Sequence, residues 1–245
     1  EIPQYIEWQV DEIAEILANT RIDKIQNEFF SEGKGRDPII HFYETFLSVY
    51  DPRQREKRGV YYTPLPIVSY ITRSINRILK DNFGKSDGFA DSSVIVLDPA
   101  AGTLTFPAQA ISIAKEEFIK KYGEGSWLKH VKDHILEDFY AFELLMAPYA
   151  VGHLKISLLL KGMGYEMQEN DRFKLYLTNT LEMEKIKELE FFGAKEIAEE
   201  SEKAYEVKHE IPILVVMGNP PYSISSSNII KEGSGFYHFY ELYKE

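Results

Sequence analysis

The apolar residues follow two patterns along the chain. In the first part, W-Q-V-D-E-I-A-E-I-L (8–17) and the aromatic segment 39–50 place apolar residues close to helical spacing. Apolar positions that recur every three to four residues are typical of an amphipathic helix packed on one face. We therefore predict that residues 1–57 form a helical cap or linker region, followed by a separate domain over residues 58–245.

The second part alternates short apolar runs with longer helical repeats. Strands alternating with helices predict an α/β fold with a doubly wound, mostly parallel sheet, as in Rossmann-like domains. The helical segments are 105–122, 147–160 and a charged stretch over 182–208. The predicted strands are S-V-I-V-L-D-P (93–99), D-F-Y-A-F-E (138–143), K-L-Y-L-T-N-T (174–180) and I-L-V-V-M-G-N-P-P-Y (213–222).

A further helix is predicted before the first strand. Thr63 is a suitable N-cap, and Pro64 or Pro66 fits the first turn. Isoleucines then recur at helical spacing, so that they are expected to share one helix face. These residues are Ile67, Ile71, Ile75 and Ile78.

A chemically distinctive group ends each predicted strand. These groups are D-P-A-A-G-T-L-T-F (98–106), Glu143, T-N-T (178–180) and N-P-P-Y (219–222). Ligands of open parallel sheets bind at the carboxyl ends of the strands, which meet at one edge. We therefore expect the four groups to form one site.

The first two strand ends suggest a cofactor cradle. Asp98, a turn with Gly102 and the start of a helix form the first half. The pattern G-x-G-x-x-G is missing, which argues against a pyrophosphate, and Asp98 suits a cationic ammonium better. Glu143 would accept hydrogen bonds from both ribose hydroxyls, if residues 123–137 are an insertion. The alternatives are an ordinary strand-to-helix turn and an isolated acid.

The fourth strand end, M-G-N-P-P-Y-S-I (217–224), poses a separate question, because proline does not extend a sheet. An exocyclic amine on a base becomes nucleophilic when two acceptors hold both of its N–H groups. The side-chain oxygen of Asn219 and the backbone carbonyl of Pro220 supply two acceptors, and Pro221 brings no competing N–H. Tyr222 offers a flat face for a flipped base. The alternative is a proline-rich turn.

These motifs, in this order, resemble those of the amino-methyltransferases that use S-adenosylmethionine, and in particular the adenine-N6 DNA methyltransferases. Three further phrases resemble the modification domains of large single-chain restriction–modification enzymes. The motifs and phrases are G-V-Y-Y-T-P (59–64), D-P-A-A-G (98–102), F-E (142–143) and N-P-P-Y (219–222), with D-P-I-I-H-F-Y-E-T-F-L (37–47), F-E-L-L-M-A-P-Y-A-V-G-H-L-K-I (142–156) and Y-L-T-N-T-L-E (176–182).

The resemblance implies a role for each matched residue. Two strand ends would hold the methionine and ribose parts of the cofactor, a third would lie near its adenine, and the clamp would hold the target adenine. The implied cofactor residues are Tyr62, Thr63 and Pro64 at the methionine end, Asp98, Ala100 and Gly102 at its amino and carboxylate groups, Glu143 at the ribose, and Leu144 with Asn179 or Thr180 at the adenine. The implied catalytic residues are Asn219, Pro220, Pro221 and Tyr222.

The resemblance implies transfer of a methyl group to the N6 amine of a flipped adenine in double-stranded DNA. The parent protein would join this domain to nuclease, helicase-like and target-recognition parts. N4-cytosine methylation, glutamine methylation of a release factor and a non-catalytic cofactor scaffold remain alternatives. Y-Y-T-P and the helical region 1–57 favour DNA over a protein substrate, and N4-cytosine relatives more often begin the clamp with serine, which favours adenine.

Three departures from the family pattern bear on activity. Leu104 stands where a second glycine is common, so its side chain is expected to narrow the approach to the cofactor carboxylate. Asn179 is neutral where many relatives carry an acid. The chain ends about 20 residues after Tyr222, where the family order continues with further strands and a target-recognition domain, so we expect an incomplete core from a longer protein.

Composition sets the remaining limits. The 245 residues are 44% hydrophobic, contain no cysteine and carry a net charge of −11. The absence of cysteine excludes disulfides and thiolate-bound zinc, and no apolar run approaches the length of a membrane helix. We predict a soluble cytoplasmic protein whose DNA contacts lie mainly outside this chain. His130 and His134 are spaced like metal ligands on a helix, but a surface helix without metal is the preferred interpretation.

Overall fold

The structure is a computed structural model that describes residues 63–181 and 195–220. Tyr62, Pro221 and Tyr222 lie outside these residues, and so do the predicted helical region 1–57 and its boundary with the following domain. The assignments made to these positions therefore stay predictions.

The described residues form a four-stranded, wholly parallel sheet, which confirms the predicted α/β fold class. The strand order is β3-β2-β1-β4, and Val96 of β1 pairs with Phe139 of β2 on one side and Val215 of β4 on the other. The strands are β1 (Val96–Asp98), β2 (Phe139–Glu143), β3 (Lys174–Leu177) and β4 (Val215–Val216).

This strand order creates a switch point between β1 and β4. The chain moves from β1 to β2 and β3 in one direction, and β4 then joins the opposite side of β1. The connections to either side of such a point leave on different faces of the sheet, which opens a crevice beyond the strand ends. The crevice therefore lies between Asp98, which ends β1, and the residues that follow Val216.

Helices cover both faces of the sheet. Alternate residues of β2 separate the two sides: Phe139 and Ala141 enter the larger core, whereas Tyr140 and Phe142 enter the smaller one. Three helices contribute side chains to the larger core and one to the smaller core. These helices are α1 (Leu65–Asn82), α2 (Thr105–Tyr122) and α3 (Met146–Gly162) on the larger core, and α4 (Lys195–Glu210) on the smaller.

Helix α1 forms as predicted, but its start and its buried face both differ from the prediction. Pro64 is the N-cap and no side chain caps the helix, so the assignment of Thr63 as N-cap was wrong. Ile67 and Ile78 are about half exposed, and the stripe that enters the core is one residue further along: Val68, Thr72, Asn76 and Leu79. The Asn76 side chain explains this rotation, because its Oδ1 accepts the N–H of Phe89 at 3.0 Å in the core.

Residues 124–138 form a series of short helical turns between α2 and β2. An insertion was expected in this region from the long separation between the Gly102 turn and Glu143. The surface interpretation of the two histidines was wrong, because His134 is buried. Its Nε2 lies 3.0 Å from the carbonyl oxygen of Phe89, and its Nδ1 lies 2.7 Å from the Asp138 carboxylate. Polar groups beside both ring nitrogens offer the buried side chain hydrogen-bond partners inside the core.

Neighbouring His130 is half-buried and stacks on Phe118 with 4.3 Å between ring centroids. Burial lowers its pKa to about 4, an effect that His134 adds to.

No helix among the described residues combines the length and the apolar character that a membrane span requires. These same residues contain no group of three or more side chains placed to hold a metal ion.

Candidate active site at the ends of the strands

The carboxyl ends of the four strands meet, as the sequence predicted. The N–H of Gly102, in the turn after β1, donates to Oε2 of Glu143 at the end of β2, at 2.8 Å. The hydroxyl of Thr180, after β3, donates to the carbonyl oxygen of Pro99. Gly218, after β4, lies directly against the Asp98 carboxylate. One edge of the sheet therefore carries all four groups.

Asp98 is fully buried at the switch point. Its Oδ1 accepts the N–H of Ala100 at 3.1 Å, whereas its Oδ2 is buried with no hydrogen-bond partner among the described residues. Burial raises the pKa of Asp98 to about 8; the Ala100 hydrogen bond opposes this shift and the nearby Glu143 carboxylate adds to it. A buried, unpartnered carboxylate oxygen is costly by itself and suits a cationic donor.

Glu143 is held rigidly by backbone donors. Its Oε2 accepts the N–H of Gly102, and its Oε1 accepts the N–H of Leu145 at 2.7 Å. Burial raises the pKa of Glu143, and these backbone hydrogen bonds partly oppose the shift. Each carboxylate oxygen retains a second lone pair, so Glu143 can still accept two hydroxyl donors. The fold thus fixes the carboxylate and leaves acceptor capacity free.

The turn between β1 and α2 uses two residues with left-handed backbone. Gly102 has φ 53°, and a Cβ built there would meet nothing within 4 Å, so the space beside it is open. Leu104 has φ 61°, a conformation that is strained for a residue other than glycine. A glycine would adopt it without this cost, which gives a physical reason for the glycine that the family pattern commonly places here.

The Leu104 side chain points into the larger core. It is completely buried, and a Cβ added to Gly152 of α3 would lie 3.2 Å from both Leu104 Cγ and Cδ1 and 3.1 Å from Leu175 Cδ2. The expectation that this side chain narrows the cofactor approach was therefore wrong. Gly152 leaves the room that Leu104 occupies, and the burial of Leu104 offsets the backbone strain.

The turn after β3 is anchored on two sides. Thr180 donates to Pro99, as described above, and Lys208 of α4 donates to the carbonyl oxygen of Asn179 at 2.8 Å and to Thr178 Oγ1 at 3.2 Å. The Asn179 side-chain oxygen accepts the N–H of Leu181 at 3.1 Å. Lys208 was missed by sequence reasoning, because it lies within a charged helix whose cations look alike in the sequence.

The exit from β4 begins with a close contact. A Cβ added to Gly218 would lie 2.4 Å from Asp98 Oδ1 and 3.3 Å from its Cγ, so a side chain there would require Asp98 or the β4 exit to move. Asn219 follows half-buried and Pro220 exposed. Gly218 was also missed, although a glycine directly before N-P-P-Y was the available signal. The predicted acceptors Asn219 and Pro220 therefore begin right beside the Asp98 carboxylate.

The remaining predicted residues lie around this centre. Leu144 is 56% exposed directly after Glu143, so its side chain offers an apolar surface at the site. Thr63 and Pro64 lie at the start of α1, where Thr63 is half-buried and Pro64 exposed. Among the described residues, no hydrogen bond ties these two to the four strand ends.

A comparison with protein families and curated proteins adds an independent observation. The model of the family described as "N-6 DNA Methylase" matches residues 34–242, which include all four strand ends. No curated protein matches the chain.

Solved structures with a similar fold belong to much larger proteins. The matched protein chain of the DrdV–DNA complex is 28% identical to this chain, and the match covers 78% of this chain and 17% of the matched chain, with a TM-score of 0.57. The ATP-dependent Type ISP restriction–modification enzyme LlaBIII, bound to DNA, is 27% identical over 80% and 13%, with a TM-score of 0.58. The Type ISP enzyme LlaGI, as a nuclease-deletion mutant with a DNA substrate mimic, shows the fold at 24% identity over 81% and 15%, with a TM-score of 0.61.

This chain therefore spans less than a fifth of each of these three proteins.

Proposed function

The chain belongs to the N-6 DNA methylase family, and we propose that it transfers a methyl group from S-adenosylmethionine to the N6 amine of an adenine in DNA. The observation that carries the proposal is the contact across the switch point. An acceptor for a cation, Asp98, touches Gly218, which is followed by the two acceptors for an amine, Asn219 and Pro220.

The residues of the cradle fit the proposed cofactor. The buried, unpartnered Oδ2 of Asp98 would accept the cationic ammonium of the methionine part, and the open space beside Gly102 would admit its carboxylate. Glu143 would accept the two ribose hydroxyls, since backbone N–H groups already orient both of its oxygens. The exposed Leu144 would pack on the adenine ring, next to Asn179 and Thr180.

The clamp would act on the target amine. When bound, S-adenosylmethionine supplies an electrophilic methyl group on a sulfonium. The Asn219 side-chain oxygen and the Pro220 carbonyl would each accept one N–H of the amine, which frees its lone pair from conjugation with the ring. Tyr222 would stack on the flipped base. The contribution of the chain is positioning, without a covalent intermediate on any side chain.

The proposed setting is the modification part of a restriction–modification enzyme. Two similar structures carry the printed name of Type ISP restriction–modification enzymes, and all three are complexes with DNA or a DNA mimic. A net charge of −11 fits a core whose duplex contacts come mainly from other parts of a longer protein.

The test is transfer of labelled methyl from S-adenosylmethionine. The longest native polypeptide that contains these residues would receive duplex DNA and, separately, a release factor, and the DNA would be digested to nucleosides. We expect the label in N6-methyladenine. Label in N4-methylcytosine would show that the target base is cytosine, and label in protein alone would contradict the proposal that DNA is the substrate. No label, with cofactor still bound, would favour a non-catalytic scaffold.

A further inference from the structure

Gly218 lies so close to the Asp98 carboxylate that a side chain at position 218 would collide with it. A methyl group at this position would lie 2.4 Å from Asp98 Oδ1, 3.3 Å from Cγ and 3.5 Å from Cδ of Pro99. Real Cβ atoms essentially never approach another atom to within 3.0 Å. An L-residue at position 218 would therefore force either Asp98 or the β4 exit to move.

The requirement for glycine here is steric and not conformational. Gly218 is absent from the glycines with positive φ, which are Gly84, Gly88, Gly102, Gly123 and Gly164. An alanine could therefore adopt the Gly218 backbone without strain. Only the contact with Asp98 forbids it.

The two sides of the contact differ in how firmly they are held. Asp98 is fully buried in the central strand, paired with Ala141 of β2, and accepts the Ala100 N–H. Beyond Gly218 the chain leaves the sheet, with Asn219 half-buried and Pro220 exposed. The main chain of Asp98 is therefore the more firmly held side, and we expect a group added at Gly218 to displace the exit from β4.

We propose that Gly218 is a positioning residue that sets the distance between the cofactor cradle at Asp98 and the amine acceptors at Asn219 and Pro220. This inference rests on the proposed function, and it gives Gly218 a role that neither acceptor performs. Misplacement of a reacting group by about 1 Å can lower a rate about 100-fold. Gly218→Ala is thus expected to impair transfer and to spare cofactor binding.

The experiment compares Gly218→Ala with Gly125→Ala in the longest native polypeptide. Gly125 is exposed, and a Cβ added there would meet nothing within 4 Å, so it is a matched control. We expect Gly218→Ala to lower the rate of methyl transfer about 100-fold at saturating cofactor. Its dissociation constant for S-adenosylhomocysteine, measured by calorimetry, should change less than about threefold. Gly125→Ala should match the wild type in both measurements.

A stability cycle tests the contact without relying on activity. Gly218→Ala should lower the melting temperature by several degrees in the wild-type background, whereas Asp98→Ser removes the oxygen that the added methyl group meets. In the Asp98→Ser background the same alanine should cost little further stability. If Gly218→Ala alone fails to fold, recovery of folding in the double variant supports the contact.

Three results would overturn the proposal. The first is wild-type transfer by Gly218→Ala, and the second is a loss of cofactor affinity that accounts for the loss of rate. The third is a stability loss that persists after Asp98→Ser. If the wild type itself transfers no methyl group, the positioning role fails together with the proposed function, while the stability cycle still decides whether the contact exists.

Discussion

The turn after β1 and the exit from β4 lie side by side but are held in different ways. In the turn, backbone N–H groups of Ala100 and Gly102 donate to the carboxylates of Asp98 and Glu143, and Leu104 is anchored in the core. At the exit, the N–H of Met217 donates to the carbonyl oxygen of Leu97, and Gly218 then lies against the Asp98 carboxylate, with no hydrogen bond between Gly218 and another described residue. The proposed cradle is thus built into the fold, whereas the proposed clamp begins at a steric contact.

This difference implies that cofactor binding and methyl transfer are separable. Changes in the cradle should act on cofactor affinity, and changes at the exit should act on the rate.

Asp98→Asn should produce the largest loss. Removal of the buried negative charge leaves the cofactor ammonium without its counter-ion, so we expect S-adenosylhomocysteine to bind about 100-fold more weakly or worse. Asp81→Asn is the matched control, because Asp81 is an exposed carboxylate paired with Arg77 on the surface of α1. Calorimetry measures both. Equal affinities for the two variants would contradict the assignment of Asp98.

Cofactor affinity should also depend on pH through Asp98. Because burial raises the pKa of this carboxyl to about 8, the empty site holds a proton at pH 7 that a cationic ligand must displace. Affinity should therefore rise about tenfold from pH 6.5 to 8, as the carboxyl ionises, with proton release on binding. The predicted dependence in this pH range rests on Asp98. A flat profile would contradict this account.

The proton on Asp98 should also affect stability, and in the opposite direction: cofactor affinity rises with pH, whereas the free energy of unfolding falls. Between about pH 4 and pH 8 the folded chain binds more protons than the unfolded chain, because the pKa of Asp98 is raised on folding. The contribution of this group to the free energy of unfolding therefore falls as pH rises through that window. Thermal melts of the ligand-free chain measure it, and Asp98→Asn should remove the effect.

Lys208→Met should have a smaller effect, about fivefold on cofactor affinity. Lys208 holds the carbonyl of Asn179 and the hydroxyl of Thr178, and each such bond contributes about 1 kcal/mol to the position of this turn. Lys203→Met, on the exposed side of the same helix, should change nothing. Calorimetry compares the two variants, and arginine at position 208 should restore part of the affinity.

Leu104→Ala should change cofactor affinity least, by less than about threefold, because its side chain faces the core. It should instead lower the free energy of unfolding by about 2–4 kcal/mol through the cavity it leaves beside Gly152 and Leu175. Leu154→Ala, half exposed on α3, should cost far less. Urea unfolding measures stability. A large loss of cofactor affinity with unchanged stability would show that the Leu104 side chain lines the cofactor site and not the core.

The sequence predicted the fold and the place of the site because both depend on local patterns. Four short apolar runs separated by helical repeats allow little besides a parallel sheet, and ligand-binding groups such as Asp98 and Glu143 then necessarily share its edge.

What could not be predicted depends on contacts between distant residues. The N–H of Phe89 donates to the Asn76 side chain, which turns that face of α1 toward the core. The carbonyl oxygen of Phe89 and the Asp138 carboxylate provide polar partners for the buried His134 ring. The Leu104 side chain fits the core because Gly152, 48 positions away, leaves room for it. The role of Gly218 likewise depends on Asp98, a residue on another strand. None of these pairs leaves a periodic signal in the sequence.

The central claim is that the acceptors at the β4 exit hold the target amine, separately from the cradle. Asn219→Ala in the longest native polypeptide tests it most directly, with methyl transfer to duplex DNA and S-adenosylhomocysteine binding measured on the same preparation. We predict a loss of transfer of about 100-fold or more with the dissociation constant unchanged within about threefold. Transfer at the wild-type rate, or a matching loss of cofactor affinity, would contradict the claim.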